Sequence, residues 1–154
     1  MELLLAVGSV WLFLWINTLV HELAHLYFIR KYNVPCLSMS IGGDTLKLRI
    51  NNFTVYLGLG LNGYCAVLSS AERSVSEWRK VIGAGPLASV VYGLVVVLLC
   101  SLFANSVFPY IAGIFIFCLL SLLESARENG QDLNTLRILS KTTQKELTLG
   151  QLFA

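Results

Sequence analysis

"LLLAVGSVWLFLWINTLVHELAHLYFIRK", residues 3–31, decides the fold of this chain. From Leu3 to Ile29 it is almost uninterrupted apolar sequence, and about 20 such residues cross a hydrocarbon core about 30 Å thick. Yet it carries His21, Glu22 and His25. An ionisable residue at membrane depth costs about 2.5–3.5 kcal/mol on insertion scales, so residues of this kind point to function. The three spell His-Glu-x-x-His. In a soluble chain that pattern is often coincidence; in an apolar span the cost of keeping it argues otherwise. Residues four apart share a helix face, so His21 and His25 can present two imidazoles to one metal ion. Glu22 points about 100° away and can reach a water on the metal rather than the metal. In zinc hydrolases the ion lowers the pKa of its water and such a carboxylate takes the proton. Asn17 extends the polar stripe by one turn. His21 lies about 27 Å along a helix begun at Leu3, which places the site toward the far end of the span.

The rest of the chain agrees with a membrane setting. Of 154 residues, 56% are hydrophobic and 13% charged, against roughly 25% charged in soluble domains. Apolar runs recur at 81–104 and 107–127, so the expected class is an α-helical membrane protein of three transmembrane helices. The first run lacks a basic n-region and is too long for a signal peptide, so it is expected to remain. Of the 11 Lys and Arg, seven lie between the first two runs and four follow the third. The positive-inside rule then puts the N-terminus outside and both the 30–80 segment and the C-terminus in the cytoplasm. A net charge of +2 gives no basis for a nucleic-acid partner; the expected surroundings are the lipid bilayer. Cys36, Cys65, Cys100 and Cys118 show no CxxC spacing and read as reduced thiols packed as small apolar residues.

Between the first two runs, Thr45 to Ile50 alternates polar and apolar residues, with turn residues at Gly42-Gly43-Asp44 and Asn51-Asn52. Period-two alternation with such turns predicts two or three short strands within 36–68, a small cytoplasmic β-hairpin or sheet insertion. Residues 69–80 read as a polar approach to a helix opening at Gly83-Ala84-Gly85-Pro86, whose glycines permit close approach of a neighbour. The tail, 133–154, reads as a helix lying on the cytoplasmic surface.

Two histidines leave a zinc site one protein ligand short, the fourth position belonging to water. The chain has only two His, and its thiols read as structural. A carboxylate is therefore required, and Glu124, Glu128 and Asp132 are the candidates. The Asn129-Gly130 break would let the chain turn Asp132 inward.

In order along the chain, HELAH, "LGLGLNGYCAV", "VIGAGPLASVVYGL" and "NGQDLNTLRIL" resemble the motifs of the site-2 protease family of intramembrane zinc metalloproteases. The resemblance covers most of the chain. It implies a single catalytic core over 1–154 with one Zn²⁺ per chain, His21, His25 and Asp132 as its ligands and Glu22 as the catalytic base. The substrate it implies is a single-pass membrane protein or peptide, cut near the cytoplasmic side. Three positions depart from the pattern. Ser89 stands where the family has Asn, Leu133 follows the aspartate in place of Gly, and Ser121-Leu122-Leu123-Glu124 replaces an Asn-Leu-Leu-Pro-like stretch. The alternative reading is a non-proteolytic membrane binding or accessory protein that keeps a zinc site. Metal transport fits less well, because the outer halves of the runs are nearly bare of ionisable groups.

Overall fold

The computed structural model describes residues 2–68, 71–102, 112–116, 131–141 and 146–148. In chain order these form α1 (Glu2–Lys31), β1 (Cys36–Ile41), β2 (Leu46–Ile50), β3 (Phe53–Leu57), β4 (Gly63–Val67), β5 (Glu72–Ser74), α2 (Val75–Leu102), α3 (Gln131–Lys141) and β6 (Glu146–Thr148).

α1 is one continuous helix of 30 residues, with Arg30 and Lys31 in its last turn, where cations suit the helix dipole. Its end is specified locally. Asn33 adopts a left-handed φ of 53°, Asn33 N–H bonds Arg30 O at 3.1 Å, and Val34 N–H bonds Ile29 O at 2.9 Å. That paired closure is a Schellman motif with Asn in the position usually held by Gly. Val34 and Ile29 then join the same buried cluster, so chain reversal and core packing are one event.

α2 begins at Val75, six residues before the expected 81. Ser74 and Glu77 explain the difference. Glu77 N–H reaches Ser74 Oγ at 3.3 Å, and Ser74 N–H reaches Glu77 Oε2 at 3.0 Å, a reciprocal capping box. Pro86 is consequently inside the helix rather than at its start. It leaves the carbonyl four residues back without its helical donor. Two helices, Leu3–Lys31 and Val75–Leu102, are long and apolar enough to cross a membrane. Of the third expected span, only 112–116 falls among the described residues. It is helical there, and Phe115 is buried edge-on against Phe13 and Tyr92.

The insertion is a four-stranded sheet in the order β2-β3-β1-β4. The expected hairpin forms between β2 and β3, with Ile50 opposite Phe53 and Asn51 at φ 55° in the turn. Alternation could not reveal that β1 pairs with β3 in parallel. One face carries Met39, Ile41, Phe53, Val55, Leu57 and Cys65 and packs on Leu26, Leu19 and Trp15 of α1. The sheet runs alongside α1 rather than beyond its end. Trp15 Nε1 donates to Gly58 O at 2.9 Å, Trp11 Nε1 to Leu59 O at 3.2 Å, and Thr18 Oγ1 to Leu61 O at 3.1 Å. At the tip, Gly42 (φ +72°) crosses Gly58 so closely that a Cβ on it would lie 2.2 Å from Gly58 O. Only glycine fits there.

α3 packs one side on α2. Leu139 is fully buried with Trp78, Val75 and Ile82, and Arg79 Nη2 donates to Leu139 O at 2.7 Å. β6 pairs with β5, Glu72 opposite Thr148. α3 and β6 are thus clamped to β5 and the start of α2, and α3 carries Asp132 in its first turn.

Candidate metal centre

His21 and His25 face α2, and α2 offers them three successive turns of one face: Val81, Gly85 and Ser89. His25 Nδ1 lies 2.7 Å from Val81 O. A carbonyl only accepts, so Nδ1 carries the proton and Nε2 is the free donor atom in the neutral ring. His21 Nδ1 lies 3.0 Å from Ser89 Oγ, and Ser89 is 4% exposed. Both Nε2 atoms then converge over Gly85. A Cβ there would sit 2.3 Å from His25 Nε2 and 2.4 Å from His21 Nε2. The missing side chain is what admits the two rings.

Asp132 closes the cluster. Its Oδ2 is 3.1 Å from His21 Nε2 and 2.9 Å from His25 Nε2, and the two Nε2 atoms are 3.1 Å apart. Among the described residues Asp132 is the carboxylate brought to the imidazoles; Glu124, Glu128 and Ser121 lie outside them. One donor atom from each of His21, His25 and Asp132 lies within 4.8 Å of the others. Three electron-pair donors so close repel unless a proton or a cation sits among them. In the proton-held form burial opposes the charge on Asp132. The hydrogen bonds and charges of the two imidazoles outweigh it and hold the carboxyl well below the usual carboxylate range. Donor atoms about 2.0–2.1 Å from one tetrahedral zinc stand roughly 3.3 Å apart. The observed spacings are within a few tenths of that, and two imidazoles with one carboxylate are a zinc-type donor set. The residues present fit the ion.

Glu22 stands beside the cluster without joining it. It is 5% exposed, and its Oε2 is buried with no hydrogen-bond partner. Its place is set by β4: a Cβ on Gly63 would be 2.7 Å from Glu22 Cγ and 2.8 Å from Oε1. A buried carboxylate oxygen without a partner is costly, and sites that handle protons are where such a cost persists. Sequence reasoning had no signal for Val81 or Gly63. It singled out Ser89 only as a departure from a motif and Gly85 only as a point of close approach.

Groups that hydrogen-bond the other ring nitrogen of a metal-bound histidine set its orientation and typically account for about 10–100-fold in affinity. Ser89→Ala is therefore expected to weaken zinc binding by about that factor while leaving α2 helical. Competition titration against a chelator of known affinity measures it, and an unchanged constant removes Ser89 from the site.

The model of the family described as "Peptidase family M50" matches residues 9–153 of the chain. No curated protein matches it at a significant level.

Proposed function

The chain belongs to peptidase family M50, a metallopeptidase family, and from that premise we propose that it is a zinc-dependent intramembrane endopeptidase. Its substrates are single-pass membrane proteins or peptides, cut within the bilayer near the cytoplasmic side. The observation that carries the reading is the convergence of His21 Nε2, His25 Nε2 and Asp132 Oδ2 beside the buried, unpartnered Oε2 of Glu22. Charge supports an orientation with the N-terminus outside: by the positive-inside rule, the basic residues of the 30–80 segment and of the C-terminal stretch favour the cytoplasmic side.

His21, His25 and Asp132 would hold the ion, and a bound zinc supplies Lewis acidity that makes water nucleophilic near neutral pH. Glu22 accepts the proton at Oε2 and later returns it to the leaving amine. Gly63, by lacking a side chain, makes the room in which that carboxylate sits against β4. Val81 O and Ser89 Oγ hold the two rings by their Nδ1 atoms, so that both Nε2 atoms would be free to hold the ion. A helical substrate hides its carbonyls, so it must enter unwound. β4 is one of the two outer strands of the sheet, and its edge, unpaired among the described residues, can hold an extended segment near Glu22 by strand addition.

The test is purification in detergent, metal analysis, and reconstitution with a single-pass substrate. Wild type is expected to carry one zinc and to cleave; a chelator stops cleavage and added zinc restores it. Asp132→Ala is expected to lose both zinc and cleavage. Stoichiometric zinc with no cleavage of any supplied substrate would instead favour the accessory-protein reading.

A further inference from the structure

Two buried side-chain oxygens among the described residues have no hydrogen-bond partner: Glu22 Oε2 and Asn17 Oδ1. Proton transfer accounts for the first. The second belongs to a residue that is only 9% exposed and lies one turn from His21 on the same face of α1. Its isolation contrasts with the other polar side chains of α1 on that side of the histidines. Ser9 bonds Leu5 O, Trp11 bonds Leu59 O, Trp15 bonds Gly58 O, and Thr18 bonds Leu14 O and Leu61 O. Each of those groups is tied to main chain, as the low-polarity setting of a span demands. A buried acceptor with nothing to accept costs stability, so a carboxamide kept there answers to something that arrives.

We infer that Asn17 binds the substrate's main chain: Oδ1 accepts a peptide N–H about two residues from the bond that is cut. This rests on the peptidase reading above. The spacing follows from two rises. Asn17 and His21 are four residues apart, about 6 Å along the helix axis, and an extended strand covers about 6.6 Å in two residues. A strand laid along β4, with its scissile carbonyl at the His21–His25–Asp132 cluster, brings a peptide group level with Asn17. Contact with main chain rather than side chain makes the interaction indifferent to substrate sequence. It also gives a partner to a peptide N–H that the unwound segment no longer satisfies within its own helix.

The experiment uses the zinc-loaded full chain and synthetic single-pass peptides in which one backbone amide near the cleavage point is replaced by an ester, which removes that N–H. For wild type, an ester two residues from the cleaved bond on one side is expected to lower kcat/KM about tenfold. Asn17→Leu, close in size, is expected to keep one zinc per chain and lose about tenfold on the all-amide peptide. On the ester peptide it should lose nothing more. A variant that damaged only packing would still respond to the ester as wild type does, and that result overturns the assignment. So does kcat/KM within twofold of wild type for Asn17→Leu. If Asn17→Leu fails to hold zinc, Asn17→Thr replaces it. The wild-type ester series also decides on its own, since no sensitive position means no such contact. A zinc-loaded wild type inactive on every peptide sinks the peptidase reading itself. Normal wild-type cleavage with an indifferent Asn17 variant sinks this inference alone.

Discussion

Glu22→Gln is expected to keep one zinc per chain and to lose about 10²–10⁴-fold in cleavage rate. The expectation follows from where Glu22 sits. It is not among the three groups whose donor atoms converge, so removing its charge takes nothing from the ligand set. Glutamine has the same shape and meets the same bare backbone at Gly63, where a Cβ would be 2.7 Å from the side chain. What it lacks is the ability to take a proton. The two readouts therefore separate: metal analysis reports the cluster, and the rate on a reconstituted single-pass substrate reports the base. Cleavage at the wild-type rate would remove Glu22 from its role, whatever the zinc content.

Gly85→Ala is expected to strike the metal centre directly. The added carbon would lie 2.3 Å from His25 Nε2 and 2.4 Å from His21 Nε2, inside any permitted contact. The rings cannot retreat, because their other nitrogens are held by Val81 O and Ser89 Oγ on the same helix. Forced overpacking of this kind typically costs about 1–3 kcal/mol, so zinc affinity should fall by about one to two orders of magnitude. Gly83→Ala is the control on the same helix. Its new carbon would meet only Leu136 Cδ2 and Cδ1, at 3.8 and 3.9 Å, which is ordinary contact. That variant should bind zinc as wild type does. Equal affinities for the two variants would mean that α2 is not the wall of the site.

Much of the site was legible because it is local. The four-residue spacing of His21 and His25 and the turn to Glu22 are properties of one helix, and α1 spans Glu2–Lys31 almost as the apolar run drew it. The β2–β3 hairpin was visible in its alternation and its Asn-Asn turn. Other features were present in the sequence but weakly marked. Ser74-x-x-Glu77 is a helix start written among polar residues, and Pro86 drew the boundary to itself because proline so often stands near helix ends. Leu136 and Leu139 looked like the apolar side of a surface helix, yet they pack against α2 and hold Asp132 in place.

Two imidazoles and a carboxylate on one membrane-length helix, the expectation of an acidic third partner, and a small sheet after the helix could all be read from the residues alone. It took the packing of the helices to bring Asp132 to the imidazoles. The tertiary structure alone disclosed that Val81 and Ser89 orient the rings, that the absent side chains of Gly63 and Gly85 make the room, and that Asn17 is buried without a partner. The reason is one of distance along the chain. Periodicity fixes relations within an element, whereas Asp132 stands 107 and 111 residues from the histidines it meets. Contacts at that separation are set by how α1, α2 and α3 pack, and no local pattern records how closely two backbones approach.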